Sequence, residues 1–366
     1  MTELIAVPGL TAAGCGQRQQ LMRDRLRING LDAALLTLPQ HVHYLSGHWE
    51  PPVRATALAL LTDGPSVLAL SSDSHDHITC ADCVTFEAQK LCTLVDDQIA
   101  AALNALRPCL DGVQRIGCDV VQRASFLRDF TVEDLGPLLL ALRRRKAPDE
   151  IAMIRHGISG CEAAFARARK MLRPGVLEIQ VYAAMQQAAV NAVGEPIGPF
   201  GNDFQAGTPG GPPRQRAVEA GEMMPLDIGV IVRGYGSDLC RTFAVDGNPS
   251  AAQIDAHKRI TETLAHIEEI AHAGVRCRQI YDRAFKMLDG HNGWRFFHHL
   301  GHGIGLASHE APRLNPNWDD TLQIGDVIAV EPGLYGDNLR GGIRIEHDYL
   351  VTETGLERLS HYPVDL

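Results

Sequence analysis

No apolar run in this chain approaches the roughly 18 residues of a membrane-spanning helix, so no span is expected. The opening MTELIAVPGLTAAG lacks the basic start and apolar core of a secretory signal, so none is expected there either. Positive charge is scarce: 34 Lys and Arg against 44 Asp and Glu give a formal net charge of −10, which argues against a nucleic-acid or anionic-membrane partner. Cysteine is present without a framework. The nine cysteines are an odd number, and the single CxxC, Cys80–Cys83, has no second pair and no nearby histidine at zinc-finger spacing. Reduced thiols in a cytoplasmic protein are expected, in place of disulfides or structural zinc. Histidine is missing from one long stretch, with none between His156 and His257.

What is present reads as an α/β protein long enough for two domains. RQQLMRDRLRING is an amphipathic helix closed by Gly30, and LDAALLTL is a buried strand. ATALALLT and SVLALSS are strands on either side of DGP, DDQIAAALNALRP is a helix ended by Pro108, and RIGCDV is another strand. The basic segment Ala141–Pro148 is the boundary candidate, giving domains 1–145 and 146–366, with Arg143–Lys146 read as an exposed linker face. Beyond it the acidic start of DEIAMIRHGISGCEAAFARARKML marks a long helix. A short internal repeat follows: Gly175-Val176 precedes Val181-Tyr182 as Gly274-Val275 precedes Ile280-Tyr281. Each copy follows one helix, opens a second and precedes a hairpin, which implies two related halves around one site.

The hairpins carry the chemistry. Asp227 lies in MMPLDIGVIV and Asp238 opens DLCRTFAV, with RGYGS between them. A turn centred near Val232–Arg233 would set the two aspartates opposite each other. Glu331 in IAVEPGLY and Glu346 in GIRIEHDYLVT are likewise expected to face across GDNLRGG. Facing residues on paired strands have Cβ atoms about 5 Å apart, where like charges destabilise. Two such carboxylate pairs call for a cation, and oxygen ligands with one imidazole suit hard or borderline divalent metals. The imidazole comes from HHLGHGIGLASHEAP, where His298, His302 and His309 cluster and Gly301, Gly303 and Gly305 favour an extended or looped backbone. One histidine ligand, His302, completes two sites if Asp238 and Glu346 bridge, leaving the other two as hydrogen-bond donors.

With these motifs, LDIG, SDLCRTF, GHGIGL, EPGLY and RIEHDYLVT, the chain resembles the pita-bread metallopeptidases: methionine aminopeptidase, aminopeptidase P, prolidase and the related creatinase. The resemblance is strong over residues 148–366 and weaker over 1–140, which looks like a creatinase-type N-terminal α/β domain. It implies a pseudo-two-fold α+β catalytic domain holding two divalent ions, manganese first, with cobalt or zinc possible on the same ligands. Asp227 would chelate one ion, His302 and Glu331 the other, and Asp238 and Glu346 would bridge. A bridging water would become the nucleophilic hydroxide, with Glu331 as general base. His298 and His309 match substrate-contacting histidines, and Arg344 matches a basic residue near the site. The implied activity is that of an Xaa-Pro dipeptidase or aminopeptidase, in a homodimer, acting on a short peptide.

One position departs from that pattern. The prolidase and aminopeptidase branch carries a histidine about seventeen residues before the first aspartate, and this count reaches Gly210. The loop 201–216 offers Asn202, Asp203, Arg214 and Arg216 instead. Arg214 reads either as a surface residue of a Pro-Gly loop or as a substrate contact. The second functional reading is therefore a hydrolase or lyase of a small non-peptide amide, such as an ectoine-like cyclic amidine or a guanidino compound. Glu310, Asp337 and Asp348 read as solvated or structural.

Overall fold

The computed structural model describes residues 7–50, 53–72, 81–120 and 124–366. Cys80, half of the CxxC, lies outside them. They form two compact units, Gly9–Arg143 and Arg144–Leu366. No helix among the described residues is long and apolar enough to cross a membrane.

In the first unit, α1 (Ala12–Ile28) is capped by the Thr11 hydroxyl, which accepts from Gly14 N, and ends at Asn29 with Gly30 at positive φ. A mixed six-stranded sheet follows from β1 (Ala33–Leu36), β2 (Ala57–Leu61), β3 (Ser66–Ser71), β4 (Asp82–Phe86), β5 (Arg115–Cys118) and β6 (Thr131–Asp134), ordered β4-β3-β2-β1-β5-β6. β1 pairs antiparallel with β2 and parallel with β5. The strands β1 and β3 are buried along their whole length, which is why they read as unbroken apolar runs. The turn at DGP joins β2 to β3, and α2 (Gln98–Leu106) packs its Ala102, Leu103 and Leu106 into the same core.

The second unit opens with α3 (Pro148–Met171). Pro148 sits in its first turn, Asp149 and Glu150 stand at the positive end and Arg169 and Lys170 at the negative end. α4 (Glu178–Val193) follows, then the hairpin β7 (Met223–Ile228) and β8 (Leu239–Ala244). The order recurs: α5 (Ala251–Ile270), α6 (Cys277–Leu288), then β9 (Gly301–Gly303), β10 (Glu310–Leu314), β11 (Val327–Val330), β12 (Gly333–Gly336), β13 (Gly341–Arg344), β14 (His347–Val351) and β15 (Leu356–Arg358). A five-stranded sheet runs β10-β9-β11-β14-β15.

The short sequence repeat marks a repeated backbone construction. Gly175 N donates to Val218 O and Val218 N to Val176 O; Gly274 N donates to Leu322 O and Leu322 N to Val275 O. Four residues into β7 stands Asp227, and just past the end of β11 stands Glu331. Asp227 N donates to Asp203 O as Glu331 N donates to Leu300 O. The two halves therefore deliver their carboxylates through the same hydrogen-bond pattern.

The basic boundary segment is not the exposed face expected of it. Arg143 and Lys146 are buried. Arg144 pairs with Asp326 (Nε–Oδ1 2.9 Å), and Lys146 Nζ with Glu310 Oε2 at 3.2 Å. Buried cations need partners, and these acidic residues come from more than 160 positions downstream in sequence, beyond the reach of a local reading.

Candidate metal centre and active site

The two hairpins place their carboxylates differently. In the first, Asp227 stands opposite Cys240 and not opposite Asp238, correcting the sequence expectation. The reason is the turn: Arg233 and Gly234 both have positive φ (47° and 85°), forming a two-residue turn that pairs Val232 with Tyr235. The hairpin axis thus falls one residue later than Val232–Arg233, and Asp238 comes to lie just before β8, diagonal to Asp227. The second hairpin keeps the expected register. Two ladders, Val327↔Leu350 to Val330↔His347 and Gly333↔Arg344 to Gly336↔Gly341, share one register, which sets Glu331 across from Glu346 at the break between them.

These residues open on a cavity of about 430 Å³ in the second unit. Asn202, Asp203, Pro209 and Gly210 of the loop line one side. Asp227, Asp238, Glu331, Tyr335, Arg344 and Glu346 come from the hairpins, and Phe297, His298, His299, His302 and His309 from the histidine segment. The ligating atoms of His302, Glu331 and Glu346 lie within 4.8 Å of one another, as do those of Asp227, Asp238 and Glu346. Asp238 also groups with His302 and His309, so Asp238 and Glu346 each belong to more than one donor set.

The donor chemistry fits divalent cations. Glu346 Oε2 is buried without a hydrogen-bond partner among the described residues. His302 Nδ1–H donates to Gly303 O at 3.1 Å, which turns the Nε2 lone pair toward Asp238 Oδ2 (3.7 Å) and Glu331 Oε1 (3.6 Å). Those distances are too long for hydrogen bonds, so the lone pair and the two carboxylates converge without bonding to one another. Burial raises the Asp238 carboxyl well above its usual range, with Asp227 repelling it, and does the same to Glu346, with Asp238 repelling it. Burial lifts Asp227 to about 6 although Arg344 opposes the shift. A multivalent cation would remove this repulsion.

Glu331 behaves differently. Burial alone would raise its carboxyl, but the hydrogen bond from His299 and the neighbouring histidines bring it down to about 2. His299 Nε2 stands 2.8 Å from Glu331 Oε1, and this contact raises the His299 pKa against the effect of burial. His299 was missed from sequence because the 298, 302, 309 spacing passes over it; the doubled His298-His299 was its only signal. Burial lowers His302 and His298 to about 4. His298 is held inside the wall: Nδ1–H donates to His299 O at 2.7 Å, so Nε2 accepts from Tyr335 O–H at 2.9 Å. Arg344 Nη1 donates to Tyr335 at 3.0 Å, and its Nη2 serves both Asp203 and Asp227. His309 stacks on His302 with ring centroids 3.7 Å apart and is exposed at the cavity mouth.

Arg214 and Arg216 do not line the cavity. Arg214 grips the fully buried Glu178, with Nε–Oε2 at 2.9 Å and Nη2–Oε1 at 2.6 Å, and Arg216 pairs with Glu222. Arg214 therefore ties down the loop, and the substrate role open to it from sequence falls away. Asp348 is buried and accepts Asp238 N at 3.1 Å, a structural part.

The sequence profile of metallopeptidase family M24 matches residues 152–353, more than half of the chain. The chain belongs to that family. This metallopeptidase is 28% identical over 358 residues to an uncharacterized peptidase of Staphylococcus aureus, covering 93% of this chain and 97% of the relative. Among solved structures, its fold is similar to the Xaa-Pro dipeptidase from Bacillus anthracis, with a TM-score of 0.79, 23% identity, and 97% and 99% of the two chains covered. It is also similar to the prolidase from Pyrococcus furiosus, with a TM-score of 0.75, 23% identity, and 93% and 99% covered. The fold is thus the mixed α/β, pita-bread architecture of prolidases, and family membership implies use of divalent metal.

Proposed function

We propose that this M24 peptidase holds two divalent ions and hydrolyses short Xaa-Pro peptides, as a dipeptidase or aminopeptidase. The observation that carries the reading is the pair of overlapping donor sets, His302–Glu331–Glu346 and Asp227–Asp238–Glu346, sharing one buried carboxylate. Asp227 would hold one ion and His302 and Glu331 the other, with Asp238 and Glu346 available to both. Ions held there supply Lewis acidity to a carbonyl oxygen and acidify water. Glu331, kept ionised by His299, accepts the proton of the attacking water. His309, at the cavity mouth, donates a hydrogen bond to the carbonyl oxygen as negative charge develops there. The chain Arg344–Tyr335–His298 fixes the wall and orients Asp227. The B. anthracis and P. furiosus structures, by name an Xaa-Pro dipeptidase and a prolidase, favour the proline-directed substrate. Manganese is the expected ion, with cobalt or zinc as alternatives, and the expected assembly is a cytoplasmic homodimer.

One observation favours a second reading. Gly210 leaves the cavity without an imidazole on its loop side, which suits hydrolysis or elimination of a small non-peptide compound such as a cyclic amidine or guanidino substrate. A single experiment separates the two. Chelator-stripped protein reloaded with manganese, cobalt or zinc is offered Ala-Pro, Met-Pro, Leu-Pro and Ala-Ala. Metal-dependent cleavage confined to the Xaa-Pro members is the expected result; about two bound ions per chain with no cleavage of any member would overturn the peptidase assignment.

A further inference from the structure

The glycine at 210 has a structural cause in Asp203. A Cβ built on Gly210 would meet Asp203 Oδ2 and Cγ at 2.5 Å, closer than real Cβ atoms approach other atoms, so the α-carbon of residue 210 packs directly on that carboxylate. Gly211 N donates to Asp203 Oδ1 at 2.6 Å, and Arg344 Nη2 donates to Oδ2. Asp203 is also bridged through its backbone to Asp227. An Asp203 carboxylate placed here and any side chain at 210 exclude each other, so the loop presents a negative charge, one-fifth exposed, on the cavity wall.

That charge changes what the cavity attracts. Arg344 is the only arginine or lysine among its described lining residues, and its fork is occupied by Asp203, Asp227 and the Tyr335 hydroxyl. Both terminal nitrogens are engaged, and the Nε, without a partner among the described residues, is buried, so no bidentate donor pair faces a substrate carboxylate. Four carboxylates, Asp227, Asp238, Glu331 and Glu346, are assigned to the ions, and Asp203 is a fifth that ligates none. Two divalent cations and Arg344 balance the five carboxylates, and His299 is spent on Glu331, leaving no large positive excess for an anionic substrate group to answer.

We propose that Asp203 is a specificity-determining residue that receives a cationic nitrogen of the substrate, the free N-terminal ammonium of the peptide, beside the first aspartate ligand. The inference rests on the peptidase reading for the identity of that cation, and it makes the enzyme a reader of the amino end more than of the carboxyl end. An ammonium on a partly buried carboxylate forms charge-assisted hydrogen bonds that an amide cannot form.

The test is binding of L-alaninamide and of its uncharged N-acetyl derivative to the manganese-loaded protein by calorimetry near neutral pH, in wild type, Asp203→Asn and Asp203→Ser. Metal content and melting temperature of each variant establish that it is folded and loaded. Wild type is expected to prefer the charged ligand by roughly 10- to 100-fold, and both variants to lose most of that preference. Preference undiminished in the variants would overturn the proposal, because the ions alone would then hold the amine. So would equal loss of affinity for both ligands, which marks Asp203 as a support for Arg344 only. Failure to cleave Ala-Pro while the preference exists and disappears in the variants refutes the peptidase reading and leaves the role of Asp203 standing.

Discussion

His299 and Glu331 form the contact that separates one carboxylate of this site from the rest. At 2.8 Å from His299 Nε2, Glu331 is held ionised, whereas Asp227, Asp238 and Glu346 are driven toward protonation by burial and by one another. Replacing His299 with Ala removes the group that orients Glu331 without removing any proposed ligand. Manganese affinity should fall by roughly 10- to 100-fold, as for other partners of metal ligands, and saturating manganese should recover part of the lost activity. Metal titration of the stripped variant checks this; unchanged affinity would show that Glu331 is positioned by other groups.

Glu346 belongs to both of these donor sets and has one oxygen with no partner among the described residues. Glu346→Gln keeps the volume and discards the charge, so bound metal should drop from about two ions per chain toward none, with activity reduced at least ~100-fold. Elemental analysis after gel filtration gives the answer. Two ions retained in Glu346→Gln would sink the shared-ligand arrangement. Glu331→Gln should instead lose roughly 10²- to 10⁴-fold in kcat, the range of a general base, and its effect on metal content should be confined to one ion.

The extent to which this site could be read from sequence depended on backbone geometry more than on residue type. The second hairpin was legible because its turn lies symmetrically about GDNLRGG and its two ladders share one register. The first was misplaced by one residue because the positive φ of Arg233, a non-glycine, defines the turn, and arginine carries no turn signal. The helices α1, α2 and α3 and the strands β1, β2, β3 and β5 were legible from their apolar patterns, whereas β4 and β6 were not. Lys146, Arg144 and Arg214 did not follow their composition: a basic run reads as solvated until Glu310, Asp326 and Glu178 arrive from distant segments. His299 was passed over and Asp203 stood only as one of four polar loop residues for the same reason, since each acts through a partner that only the folded chain supplies.

Metal removal should make stability depend on pH in a definite direction. Asp227 rises from the ordinary 3.8 to about 6 in the folded, metal-free protein, and Asp238 and Glu346 rise as well. A raised carboxyl binds its proton more tightly folded than unfolded. Its contribution to stability is therefore fully present below the unfolded value and is lost as pH climbs through the folded one. Metal-free protein should lose this contribution between about pH 4 and pH 6 and above, while metal-loaded protein, with those carboxylates neutralised by cations, should not. The difference in melting temperature between loaded and stripped protein should widen from about pH 5 to about pH 8, on top of the roughly 2.7 kcal/mol that a ligand at a hundred times its Kd provides. Scanning calorimetry at three pH values tests this; a difference that narrows with rising pH would contradict the electrostatic account of the site.

Arg214 offers a test of what holds the loop that carries Asp203 and Gly210. Its guanidinium makes two hydrogen bonds to Glu178, a carboxylate with no exposed side-chain surface, and a third to Ala206 O. Ala206 N and Arg214 N also donate to Glu178, so the loop is pinned to the start of α4 from both strands of its path. Arg214→Ala leaves those backbone bonds and the more distant Arg216, 3.7 Å away, as the remaining compensation for the buried charge. The expected cost is roughly 1–3 kcal/mol of folding stability. Since Arg214 does not reach the cavity, the KM for a short peptide should change by less than about threefold at temperatures where the variant is folded. Urea unfolding together with steady-state kinetics distinguishes the two effects. A large rise in KM with stability intact would return Arg214 to the substrate and require the loop to move on binding.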